Sequence, residues 1–130
     1  MKGLDTSILI RYLTQDDPVQ SKRANEIIDH ELSKGVPGFV SLVTIAETAW
    51  VLRSRYKATT EEIATAVERI LASDVLKVQN EQQVYEAMVA LKAGEGTFAD
   101  ALICALGAWA GCSSTLTFDS GSRLGQFEVV

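Results

Sequence analysis

Four carboxylates in this chain stand among apolar neighbours: Asp5 in Leu4-Asp5-Thr6-Ser7-Ile8-Leu9, Glu47 in Ile45-Ala46-Glu47-Thr48-Ala49-Trp50, Asp100 in Phe98-Ala99-Asp100-Ala101-Leu102-Ile103, and Asp119 in Leu116-Thr117-Phe118-Asp119. A carboxylate taken out of water costs several kcal/mol unless a partner compensates it. If two such groups met about 4 Å apart, they would repel by about 4 kcal/mol at an effective dielectric near 20. A shared cation removes that penalty. Carboxylate oxygens without histidine or cysteine favour hard ions, so Mg²⁺ or Mn²⁺ is expected rather than zinc. A divalent ion held this way suits phosphoryl chemistry, because it activates water and stabilises charge on the leaving oxygen.

A simpler reading competes. Thr44-x-x-Glu47 and Thr97-x-x-Asp100 match the capping-box pattern or its Asp variant, and Asp5 stands where it would cap a first helix. The pattern recurs at Thr59-x-x-Glu62 and Asn80-x-x-Gln83, so capping alone accounts for the spacing. A cap, worth roughly 0.5–2 kcal/mol, does not require apolar surroundings. Nor does it explain why Asp5, Glu47 and Asp119 follow strand-like segments. Nothing in its spacing alone places Asp100 beside the other three, and both readings stay open at this level.

The elements that would position these acids alternate. Short strands are expected at Lys2–Leu4, Val36–Leu42, Val75–Val78, Ser114–Thr117 and Phe127–Val130. Helices are expected at Thr6–Leu13, from Pro18 to about Lys34 with Asp17 as N-cap and Gly35 as the stop, and at Thr44–Tyr56. Others are expected at Thr59–Ala72, Asn80–Lys92 and Thr97–Ala110, the last apolar nearly all round and so buried on most sides. The alternation predicts an α/β fold: one parallel sheet of about four to five strands with helices on both faces. In such a sheet ligands bind beyond the carboxyl ends of the strands.

Composition narrows the function classes. With 130 residues, 47% of them hydrophobic and 22% charged, the chain reads as one ordinary globular domain spanning 1–130. No apolar run approaches the ~20 residues of a membrane span, and no basic-then-apolar leader opens the chain, so a cytoplasmic location is expected. The net charge of −5 argues weakly against a general nucleic-acid binder, because bound metal would offset part of it. Cys104 and Cys112 are expected to be buried free thiols, His30 a surface residue, and Trp50 and Trp109 core. Arg11, four residues after Ser7, shares its helix face and is a candidate phosphate contact. Arg53, Arg55 and Lys57 close the Glu47 helix, where complementing its dipole is the favoured role.

In order and spacing the four acidic segments resemble the PIN domain, and are similar to the VapC-type toxin components of bacterial toxin–antitoxin pairs. The resemblance runs from Gly3 to the last strand. It implies a metal-dependent endoribonuclease cutting single-stranded or loop RNA. Asp5 and Asp100 would be the main direct ligands of Mg²⁺ or Mn²⁺, with Glu47 and Asp119 completing the catalytic site directly or through water. Thr6, Ser7 and Thr117 would supply supporting hydroxyls; the family commonly has Asn where this chain has Ser7. The resemblance further implies a two-fold homodimer and a cognate antitoxin that lays a helix near the acids and presents an arginine to them. Alternatives are an RNA-processing PIN nuclease without an antitoxin, or a non-catalytic module that only binds RNA or antitoxin. An aspartyl-phosphate phosphatase is disfavoured, since Ser7 stands where that mechanism places its second Asp.

Overall fold

A computed structural model of the chain describes residues 1–122 and 124–130. Its elements run β1 (Lys2–Gly3), α1 (Thr6–Thr14), α2 (Pro18–Glu26), a π-helical turn (Ile27–Glu31), β2 (Gly38–Val40), α3 (Leu42–Ser54) and α4 (Thr60–Ala72). Then follow β3 (Leu76–Val78), α5 (Glu81–Lys92), α6 (Phe98–Trp109), β4 (Thr115–Thr117) and β5 (Phe127–Val129). The α/β alternation is as expected, but the five strands form two parallel sheets rather than one. One has the order β1-β2-β3 and the other pairs β4 with β5. β4 aligns Thr115 with Phe127 and Thr117 with Val129, and among the described residues no ladder joins it to the first sheet. Sequence pattern names strands, not their partners.

The central strand β2 pairs Gly38 with Lys2 on one side and with Leu76 on the other. β1 and β2 are parallel, so their carboxyl ends, which deliver Asp5 and Ser41, point to the same edge. Two contacts tie that edge together: the Leu4 N–H donates to the Phe39 carbonyl at 2.9 Å, and the Thr44 hydroxyl reaches the Leu4 carbonyl at 3.5 Å. The core beneath is contributed by every layer. Leu9, Val40, Ile45 and Val84 are fully enclosed, with Val67 beside them.

Several local expectations are corrected. The second helix does not run to Lys34. It passes through a π turn and ends when Leu32 swings to extended backbone (φ −81°, ψ 152°), where its side chain is buried. The stop is therefore a packing event rather than Gly35. Helix α3 starts at Leu42, capped by the Ser41 hydroxyl, which accepts from the Thr44 N–H at 3.1 Å. Thr44 is not the cap, and Glu47 falls in the second turn instead of at a capping position. Asn80 precedes α5 with left-handed backbone (φ 51°) and makes no side-chain cap. Asp17 and Thr59 cap as expected, Thr59 in a full box with Glu62.

Trp50 and Trp109 are not core: they are 61% and 58% exposed. In α3 the buried residues are Ile45, Thr48, Ala49, Val51 and Leu52, and Trp50 is left on the exposed face. Trp109 donates its indole N–H to Glu86 at 2.9 Å. Helix α6 buries Phe98, Ala101, Leu102 and Cys104 but leaves Ile103 exposed, so it is two-faced rather than enclosed. Cys104 is buried and Cys112, just after the turn that ends α6, is exposed. No described helix is long and apolar enough to cross a membrane.

Candidate active site

Asp5 leaves β1 and occupies the N-cap position of α1 (φ −84°, ψ 160°), yet its side chain makes no capping bond. Instead Oδ2 accepts from the Ser7 hydroxyl at 3.2 Å. The next residue, Thr6, is buried and donates its hydroxyl to Oε1 of Glu47 on α3. Adjacent residues at the end of β1 thus present one carboxylate and grip another. Both acids line one cavity of about 290 Å³, whose walls include Ile10, Arg11, Trp50, Arg55 and Tyr56.

Both carboxylates are exposed, as is Asp119, while Asp100 is half-buried. The burial cost expected from their neighbours is therefore not incurred. Those neighbours (Leu4, Leu9, Ile45, Ala49) turn inward and the acids outward. Asp5 and Glu47 are set apart by being held in one cavity by neighbouring hydroxyls without a counter-charge. Among the described residues none of the four joins an ion pair, whereas Asp16, Glu26, Glu31, Glu68 and Asp74 each do.

The other two acids occupy different settings. Asp100 lies in the first turn of α6, where its backbone N–H donates to the Thr97 hydroxyl at 3.1 Å. Its charge, after burial itself, helps push the Cys104 thiol above its ordinary pKa. Asp119 follows β4, its backbone N–H donating to Thr117 Oγ1 at 3.0 Å and its Oδ1 accepting from the Gly121 N–H at 2.9 Å. Thr117 thus steadies the backbone that carries this acid. Asp5 and Glu47 are the pair the fold joins in one cavity. Among the described residues no three His, Cys, Asp or Glu side chains are grouped closely enough to hold a metal ion. The donor chemistry still fits a hard cation, since Mg²⁺ keeps several waters and is commonly held by one or two carboxylates.

Arg11 lines the cavity but is committed. Its Nε donates to Gln20 at 2.8 Å, and its Nη1 donates to Asp16 at 3.0 Å and to the Tyr56 hydroxyl at 3.1 Å. Tyr56 in turn donates to Asp16 at 2.6 Å. That bond, with the Thr14 hydroxyl and the guanidinium, lowers the Asp16 pKa to about 2. Arg55, on the same wall, is exposed and makes no ion pair with a described residue. Sequence reasoning set Arg55 aside for the helix dipole and passed over Tyr56. The signal was available for Arg55: it lies eight residues after Glu47, close to the same helix face.

The family model for the PIN domain matches residues 3–125. The chain belongs to the PIN domain family. No protein of curated function matches it. PIN domains are a nuclease fold family whose members are typically dependent on divalent metal. In this PIN domain the carboxylates singled out from sequence are Asp5 after β1, Glu47 in α3 after β2, Asp100 at the start of α6 and Asp119 after β4.

Proposed function

We infer that this PIN domain is a metal-dependent endoribonuclease that hydrolyses RNA phosphodiester bonds, and that it serves as the VapC-type toxin of a toxin–antitoxin pair. The observation carrying the nuclease reading is the joining of Asp5 and Glu47. Hydroxyls of consecutive residues hold both carboxylates in one cavity at the carboxyl edge of the sheet, and no described cation is paired with either. That arrangement suits a Mg²⁺ or Mn²⁺ ion held by Asp5 and Glu47, with Asp100 and Asp119 joining directly or through water. When bound, such an ion supplies an acidified water and offsets charge on the phosphodiester. The chain's own part is positional. Thr6 fixes the Glu47 rotamer, Ser7 orients Asp5, and Arg55 is free to meet a phosphate, with Arg11 shaping the wall beside it.

The toxin assignment rests on the resemblance in order and spacing of the four acidic segments. A two-fold homodimer is supported by apolar side chains left outside on adjacent helices, Val89 on α5 with Ile103 and Trp109 on α6. An antitoxin arginine would supply the counter-charge that Asp5 and Glu47 lack. The test is cleavage of a panel of structured and single-stranded RNAs with Mg²⁺ or Mn²⁺. Wild type should cut, and the Asp5→Asn, Asp100→Asn double variant should not. A binding-only module would show no metal-dependent cutting in either protein.

A further inference from the structure

A second cavity of about 340 Å³, lined by residues of α3, α4 and the start of α6, shares Trp50 with the cavity that Asp5 and Glu47 line. Trp50 lines both cavities and is 61% exposed. Its position three residues after Glu47 puts indole and carboxylate on neighbouring helix faces. The second cavity is walled by small or apolar side chains (Ala46, Ala49, Ile63, Phe98) and carries one charge, Arg53, which pairs with no described residue. Arg53 borders this cavity and Arg55 the first, and neither pairs with a described residue.

We propose that this second cavity receives one unpaired base of the RNA, stacked on Trp50, with the adjoining phosphate on Arg53. The proposal rests on the ribonuclease reading above and extends it to how the strand is held. Single-stranded RNA is recognised largely by stacking splayed bases on aromatic rings, while arginines take the phosphates. A recess of this volume, at the low end of small-ligand pockets, suits one planar ring better than a long apolar helix face. Two positive side chains, one bordering each cavity, complement a polyanion. Because Trp50 lines both cavities, a strand stacked on it would run on towards Asp5 and Glu47. Trp50 thereby becomes a residue that selects unpaired over duplex substrate, because a stacked, paired base cannot enter.

The test uses the full chain without metal and a short fluorescein-labelled random-sequence RNA, single-stranded or as a blunt duplex, read by anisotropy. Wild type should prefer the single strand. Trp50→Ala should weaken that binding by at least about tenfold, within the roughly 5- to 150-fold that base–aromatic stacking commands. Trp50→Phe should restore most of it, and Arg53→Gln should weaken it and flatten its salt dependence. In Trp109→Phe protein the remaining Trp50 fluorescence should be quenched by the single strand. Equal affinity of wild type and Trp50→Ala would overturn the proposal. So would quenching by an amphipathic helical peptide but not by RNA, which would assign the cavity to a protein partner. Binding through Trp50 without any metal-dependent cleavage would uphold the base pocket while sinking the nuclease reading. Metal-dependent cleavage with KM unchanged by Trp50→Ala would do the reverse.

Discussion

Two sets of carboxylates flank helix α1 and are treated in opposite ways. At its C-terminal end Asp16 is satisfied from within, by Arg11, Tyr56 and Thr14, and its pKa falls to about 2. At its N-terminal end, among the described residues, the Asp5 carboxylate receives only the Ser7 hydroxyl, and that of Glu47 only the Thr6 hydroxyl. Hydroxyls fix direction but bring no charge. The chain thus neutralises one carboxylate to hold α1 against α3 and leaves two unmatched over a cavity a few residues away. The charge beside α1's C-terminal end is balanced from within, while the two carboxylates at the cavity are held by hydroxyls and pair with no described cation.

The sharpest way to break this contrast is to neutralise each set. Asp5→Asn or Glu47→Gln should lower metal-dependent cleavage about 100-fold or more, a loss near 3 kcal/mol, without lowering Tm. Asp16→Asn should lower Tm while leaving metal affinity unchanged. Loss of Tm in the Asp5 or Glu47 variants would erase the distinction. Next in size, Thr6→Val removes the hydroxyl that holds Glu47, and should cut activity roughly tenfold, as expected for a group orienting a ligand. Circular dichroism would confirm that the fold persists.

Gly96 sharpens the comparison from the side of Asp100. Its φ is +78°, and a methyl group there would stand 3.3 Å from Leu124 and 3.6 Å from Asp100 Oδ2. Gly96→Ala should therefore cost about 1–2 kcal/mol in denaturant unfolding, the strain of a side chain in left-handed backbone. The smallest effect is in acid. Asp16's folded pKa of about 2 lies below its ordinary 3.8, so its stabilising contribution is full above pH 4 and is lost as pH falls towards 2. Tyr56→Phe removes the largest cause of that depression, so the Asp16 carboxyl should titrate closer to 3.8 by NMR and the acid transition should be shallower.

How much of this was legible beforehand follows from what sequence can encode. Periodicity and caps are local, so Asp17-Pro18, the Thr59 box and the position of each expected helix could be read, though not where the second helix ends or where α3 begins. Pairing is not local. Nothing in Ser114–Thr117 says that it lies against Phe127–Val129 rather than on the Lys2–Gly3 strand. The apolar setting of the four acids was legible, but its meaning was inverted, since Leu4, Ile45 and Ala49 are inward because the acids are outward. Trp50 was assigned to the core on residue type, and only the placement of Ile45, Ala49 and Leu52 shows that its face is the open one. Arg11 looked like a phosphate group from its spacing to Ser7. Its engagement by Asp16, Gln20 and Tyr56 depends on contacts up to 45 positions apart, beyond any local pattern.

The most direct measurement is Mn²⁺ binding to the purified wild-type chain and to Asp5→Asn and Glu47→Gln, followed by electron paramagnetic resonance of the free ion. Wild type should bind saturably, and each neutralised carboxylate should weaken binding by about tenfold or more. Identical Mn²⁺ affinity in all three proteins, or none in folded wild type, would contradict the idea that these carboxylates are held open for a cation.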